Sequence, residues 1–243
     1  MVHRSPNCYR GMNADRQVIR TTNFVTDAAE FILKQARNAF RERNEFRIAL
    51  SGGNTPRPVY SCLASMTQDF QWDLVRITFG DERCVPPDDP ESNFRMAQKT
   101  LLVPARIPET SVLRMRGEID PQTAAQEYQD CLNLMARESG ESIYQHDLIL
   151  LGLGDDGHTA SLFPGTAALE ERTRRVVANF VPKLSAFRLT FTFPLIDAAR
   201  HICFLVGGGK NLELVDRVLE GDQQLPAARV APNAGQLTWI IGE

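Results

Sequence analysis

Residues 147–151 read DLILL and are closed by Gly152. Every position after the aspartate is apolar, so this segment has no polar face to offer water. A strand of that kind must be covered on both sides, as in a parallel sheet with helices above and below. The segments around it fit such a sheet. Residues 27–43 predict an amphipathic helix: Asp27 and Glu30 have capping-box spacing, and Phe31, Ala36, Ala39 and Phe40 recur at helical intervals. A strand over Phe46–Leu50 stops at Ser51, Gly52 and Gly53, and Pro56 opens a helix running through Val59, Tyr60 and Leu63. A second strand, 74–79, ends at Gly80, Asp81, Glu82 and Arg83, ahead of a helical stretch 93–102. A helix over 123–137 places Ala124, Tyr128, Cys131, Leu132 and Met135 on one broad face. Further strands are expected at 175–181, 188–193, 202–206 and 237–241, with a helix over 212–219. The alternation predicts an α/β fold: a Rossmann-like, doubly wound, largely parallel sheet with helices on both faces, in a single domain.

Composition removes other classes. The chain has 243 residues, enough to bury about 70–75% of its unfolded surface. With 27 basic and 30 acidic side chains the formal charge is −3, and 43% of residues are apolar. General disorder and a sequence-blind nucleic-acid binder are thereby disfavoured, so no nucleic-acid partner is expected. The longest apolar runs, such as 202–206, fall far short of the roughly 18 residues a membrane helix needs, so no membrane partner is expected either. The polar start, MVHRSPNCYRGMNADR, lacks a run of signal-peptide length, which predicts a cytoplasmic protein. Residues 1–15 read as a flexible segment, followed by one domain over 16–243 without repeats or linkers. Cys8, Cys62, Cys84, Cys131 and Cys203 are scattered and never paired as Cys-x-x-Cys. That argues against a disulfide framework and a zinc cage, and no metal or cofactor is expected.

In open α/β sheets, ligands bind beyond the carboxyl ends of the strands. Four such places carry chemistry. Ser51-Gly52-Gly53-Asn54-Thr55-Pro56 allows close backbone approach ahead of a helix N-terminus, which suits a phosphate; the same residues also suit a plain tight turn. The loop from Leu151 to Ser161 contains Gly-x-Gly-x-x-Gly, yet it comes late in the chain and holds Asp155 and Asp156 where a pyrophosphate would approach. Asp156 and His158 suggest acid–base chemistry instead, a carboxylate fixing an imidazole tautomer, set against a merely structural histidine. His3, His146 and His201 receive only the structural reading. Asp81, Glu82 and Arg83 form either a surface ion cluster or a pocket in which Arg83 neutralises developing charge. Arg188 and Lys210, the latter after Gly207-Gly208-Gly209, are solvated cations or, together with the first loop, a site for a phosphate dianion.

ALSGGNTPRPVY (49–60), FGDERCVPPDDPESNFRMAQKTLL (79–102), DLILLGLGDDGHTASLFPG (147–165) and RLTFTFPLIDAARHICFLVGGGK (188–210) together resemble the 6-phosphogluconolactonase family. The resemblance spans roughly residues 24–241, and DGHTASLFPG is its most specific part. Glucosamine-6-phosphate deaminases of the same superfamily typically read DGHIAFNEPG and DEY where this chain reads DGHTASLFPG and DER. Asn54 stands for a usual serine, and GGGKN for a TGAEK-like run, which touches the details of phosphate binding.

The resemblance implies a small phosphorylated sugar lactone as substrate and no cofactor. It further implies that His158 activates the attacking water with Asp156 assisting, and that Arg83 meets substrate or transition-state charge. Gly52, Gly53, Asn54, Thr55, Arg188 and Lys210 would surround the 6-phosphate, with Asp81 supporting sugar hydroxyls or Arg83. A monomer or homodimer is expected. The competing readings are an isomerising deaminase and a non-catalytic sugar-phosphate-binding regulator; the joint presence of Asp156, His158 and Arg83 speaks against the regulator.

Overall fold

The DLILL run becomes β5 (Leu148–Gly152) near the middle of a six-stranded sheet in the computed structural model, which describes residues 16–67, 70–209 and 212–243. Its neighbours are β2 (Phe46–Leu50) and β8 (His201–Val206); β3 (Val75–Phe79) lies outside β2, and β9 (Gln236–Gly242) then β1 (Arg16–Thr21) lie outside β8. Every pairing in this sheet is parallel. Alternation along β5 explains why no position could be polar. Leu148 and Leu150 enter a core with α1 (Phe24–Arg43) and α2 (Pro56–Ser65). Ile149 and Leu151 enter the opposite core with α4 (Pro121–Glu138) and α6 (Leu212–Glu220). β8 divides in the same way, Cys203 and Leu205 to one side and Ile202, Phe204 and Val206 to the other. The expected α/β architecture with helices on both faces is the observed one.

Two expected strands do not join this sheet. β6 (Val176–Val181) and β7 (Ala186–Phe191) pair antiparallel with each other, and β4 (Asp81–Arg83) adds to β7, giving a second, three-stranded sheet. The reason is connection length: only residues 182–185 separate β6 from β7, and a parallel pairing needs a crossover of a dozen residues or more. β4, a run of three charged residues with no apolar pattern, is a strand only through its pairing with β7. β1 is an unexpected edge strand whose side chains are mostly exposed.

Helix ends also moved. α1 begins at Phe24, and Asp27 accepts a hydrogen bond from the Thr21 hydroxyl at 2.5 Å, so the capping box does not form. α4 starts earlier than expected because Asp120 caps it, accepting from Thr123 N at 2.9 Å. The expected helix over 93–102 is α3 (Asn93–Ala97) running into a π-helical turn over Gln98–Leu102. A short α5 (Phe193–Ile196) follows β7. Residues 1–15 lie outside the described residues, and among the latter no helix is long and apolar enough to cross a membrane.

β2 leads outward through α2 to β3, whereas β5 leads to the opposite face, where β6 and β7 join the α4 core. The strand order therefore reverses between β2 and β5. A crevice at their carboxyl ends is the expected ligand site of such a sheet.

Candidate active site

That crevice is a cavity of about 270 Å³. Its walls include Gly52, Gly53, Asn54 and Thr55 after β2, Gly80, Asp81 and Arg83 after β3, and His158 after β5. The first wall is pinned by Tyr60 in α2, whose phenol oxygen accepts from Ser51 N at 3.0 Å and donates to Ser51 O at 2.9 Å. Burial pushes that phenol up, so it remains a protonated donor. The Ser51 hydroxyl is buried in this wall close to the Tyr60 phenol. Gly52 is required by a close approach: a Cβ there would lie 1.8 Å from Asn93 Oδ1. Asn93 in turn donates through Nδ2 to Asp81 O at 2.9 Å and to Asp81 Oδ1 at 3.2 Å.

The charged stretch 81–83 is not a surface ion cluster. Glu82 is buried and accepts from the backbone N–H groups of Arg83, Asn93 and Phe94 and from the Ser92 hydroxyl, fixing the turn that delivers Asn93. Burial pushes its carboxyl up against the pull of those donors. Asp81 points to the other side of β4 and is held by Asn93 and by the Ser161 hydroxyl at 2.7 Å, not by Arg83 as the resemblance allowed. Arg83 donates to the Glu91 carbonyl and lies in register with Arg188 of β7. Residues directly opposite across an antiparallel pair share one face of the sheet, so two like charges lie on that side. Among the described residues neither forms an ion pair, so an anion is what this pair lacks.

The loop after β5 is an irregular turn. Gly157 N donates to Gly154 O at 3.0 Å, and Thr159 Oγ1 to Gly152 O at 2.8 Å. Such a turn lets residues two apart meet: His158 Nδ1 lies 2.5 Å from Asp156 Oδ1. The imidazole stacks on Phe163, centroids 4.0 Å apart, and packs so tightly over Gly154 that a Cβ there would fall 2.0 Å from the ring. The second Asp156 oxygen accepts from Lys183 Nζ at 2.9 Å. Partial burial acts to raise the Asp156 carboxyl, but the bonds from His158 and Lys183 outweigh it and hold the group down to about 2. Further along, Ser161 N donates to Thr190 Oγ1 at 3.1 Å and Ser161 O accepts from Asn179 Nδ2 at 2.9 Å, which docks the loop on the small sheet.

Of the residues singled out in the sequence, Gly52, Gly53, Asn54, Thr55, Asp81, Arg83 and His158 share one cavity. Asp156 stands behind His158, and Arg188 stands beside Arg83 outside the cavity lining. Lys210 lies outside the described residues, although Gly207 approaches Thr55, whose Cγ2 would be 3.3 Å from a Cβ. His146 and His201 are buried and paired with the hydroxyls of Thr78 and Thr238. Sequence reasoning missed Asn93, Ser161 and Lys183, each of which acts on a partner distant in the chain. The described residues hold no group of three His, Cys, Asp or Glu side chains that could bind a metal ion.

Comparison with known proteins gives the family. The family described as Glucosamine-6-phosphate isomerases/6-phosphogluconolactonase matches residues 20–239. The chain belongs to that family. Its relatives place it among the 6-phosphogluconolactonases: it is 42% identical over 209 residues to the 6-phosphogluconolactonase of Synechocystis sp., covering 84% of this chain and 85% of that one. The 6-phosphogluconolactonase of Nostoc sp. is 34% identical over 224 residues, 90% of this chain and 91% of the other. The solved 6-phosphogluconolactonase of Trypanosoma cruzi superposes with a TM-score of 0.81 at 31% identity, covering 95% and 96% of the two chains. That of Thermotoga maritima gives 0.81 at 28% identity, covering 94% and 100%.

Proposed function

We propose that this chain hydrolyses 6-phospho-D-glucono-1,5-lactone to 6-phospho-D-gluconate, the lactone-opening step of the oxidative pentose phosphate pathway. The observation that carries the reading is the Asp156–His158 pair, 2.5 Å apart, opening on the cavity that also holds Arg83. An ionised Asp156 accepts a hydrogen bond from Nδ1–H, keeping that proton on the ring, and leaves the Nε2 lone pair free. Nε2 takes a proton from water as its oxygen bonds to the lactone carbonyl carbon. Negative charge gathers on the carbonyl oxygen, where Arg83 meets it. The bond from that carbon to the ring oxygen then breaks, and His158 returns the proton to the departing oxygen. Gly52, Gly53, Asn54 and Thr55, with Arg188 and Lys210, hold the 6-phosphate; Asp81 is left to accept a sugar hydroxyl.

His158→Ala is expected to lower kcat by roughly 10²–10⁴-fold with an unchanged circular-dichroism spectrum and melting temperature. Lactone consumption is followed above the spontaneous rate, and turnover equal to the unsubstituted enzyme would remove His158 as the group that activates water. Because the matched family also covers isomerases, ammonia release from glucosamine 6-phosphate is measured alongside; none is expected.

A further inference from the structure

Lys183 comes from a part of the chain remote from the catalytic loop, yet its ammonium reaches that loop. It sits at the tip of the β6–β7 hairpin, where Pro182 fixes φ and Ser185 turns through the left-handed region at φ 48 with its N–H on Pro182 O at 3.0 Å. Strand register holds up to the Val181–Ala186 pair, so the turn is short and stiff. Closer to its base, the hairpin is fastened to the catalytic loop at Ser161 through Asn179 and Thr190. These attachments set Lys183 Nζ 2.9 Å from Asp156 Oδ2, while Asp156 Oδ1 faces His158.

We propose that Lys183 is a positioning residue for the reaction: it holds Asp156 by one oxygen so that the other meets His158, and its ammonium sets a positive charge 2.9 Å from the carboxylate that faces the ring. This rests on the reading in which His158 activates water. A carboxylate facing an imidazole stabilises the protonated ring; a cation on the far side of the carboxylate weakens that stabilisation.

The other charged groups around the pair are Arg83 and Asp81 on the cavity wall, Arg188 opposite Arg83, and Asp155 beside Asp156 in the loop. Phe163, stacked on the ring, is neutral. Among the described residues, Lys183 is the lysine or arginine that touches the carboxylate. With 68% of its side chain exposed, it contributes little to folding, so its removal reads out in kinetics rather than in stability.

The test uses the full chain and the pH dependence of lactone hydrolysis, corrected for the spontaneous rate. Lys183→Met is expected to lower kcat about 3- to 10-fold, leave KM within about twofold, leave the melting temperature unchanged, and move the acid limb of the kcat profile to higher pH. Lys183→Arg restores both kcat and the limb. Three results overturn the proposal: an unshifted acid limb, a change confined to KM, which would make Lys183 a substrate contact, or a loss that Lys183→Arg fails to restore. His158→Ala, run in parallel, separates the two ideas. Retained lactone hydrolysis there removes His158 as the group that activates water, whereas inactive His158→Ala with an unshifted Lys183→Met profile removes only the role of Lys183.

Discussion

The two ends of the β2–β5 strand pair both gather charge, and they differ in whether that charge is satisfied. At the amino end, Asp147 meets Arg43 at 2.9 Å and Arg200 at 3.2 Å and accepts from Arg47 N at 2.9 Å. Arg47 in turn meets Glu45 at 2.6 Å and Glu141 at 2.8 Å. Acids and bases alternate, each closed by the next. At the carboxyl end, Arg83 and Arg188 lie in register with no carboxylate paired to either among the described residues, and Arg83 lines the cavity that also holds His158. Charge that a fold has neutralised holds the fold together, and charge left open is available for a ligand.

The sharpest way to break that contrast is to remove the centre of the amino-end network. Asp147 is buried, and burial pushes its carboxyl up while Arg47, Arg43 and Arg200 pull it back. Asp147→Ala leaves the Arg47 N–H unpaired and takes one carboxylate from Arg43 and Arg200, at a cost of about 3 kcal/mol, in the lower part of the range for breaking a buried pair because both arginines are partly hydrated and keep Glu42 and Glu141 as partners. For a chain of this size that is a fall of roughly 6–12 °C in Tm. kcat/KM measured well below the new Tm is expected to stay within about twofold. A large loss of activity would show that the two ends are coupled.

The mirror experiment is Arg83→Gln. It is expected to lower kcat/KM by about 30- to 100-fold, since a charge contact to substrate or transition state is lost, equivalent to about 2–3 kcal/mol. Stability should hold or rise slightly, because Arg188 loses a like-charged neighbour. A fall in Tm comparable to that of Asp147→Ala, with kcat/KM intact, would mark Arg83 as structural and erase the contrast.

Legibility in the sequence follows the same division. β5 and β8 were readable because strands covered on both faces need unbroken apolar runs, β2 because only Arg47 near its amino end interrupts one, and the places of the ligand loops followed from those strands. Asp156, His158 and Arg83 stood out because chemistry demands their residue types. β4 was not readable: a strand of Asp81, Glu82 and Arg83 exists only because β7 pairs with it. Asn93 and Ser161 were silent for a related reason. Each binds Asp81, from 12 and 80 residues away, and nothing in their local sequence records that contact. Lys183 looks like any hairpin lysine until the fold sets it against Asp156.

The smallest effect refines the comparison, because the amino end holds one carboxyl that its network does not reach. Asp197 follows α5 and accepts only from Ala231 N, at 2.9 Å; no cation pairs with it among the described residues. Burial therefore pushes it up to about 7, against that single N–H. Below about pH 4 the group is protonated whether the chain is folded or not, and it then costs nothing. Between about pH 4 and about pH 7 the unfolded chain ionises while the folded chain stays protonated, so stability declines across that window and levels off above it. Asp197→Asn keeps an oxygen for Ala231 N and cannot ionise. Its expected gain is about 1 kcal/mol at pH 8 and none at pH 4, after allowance for partial exposure of the residue. Denaturant unfolding of both proteins at the two pH values reads the difference directly. Equal gains at both would mean that packing, not an unmet charge, sets the cost of Asp197, and the amino end would then have no open charge at all.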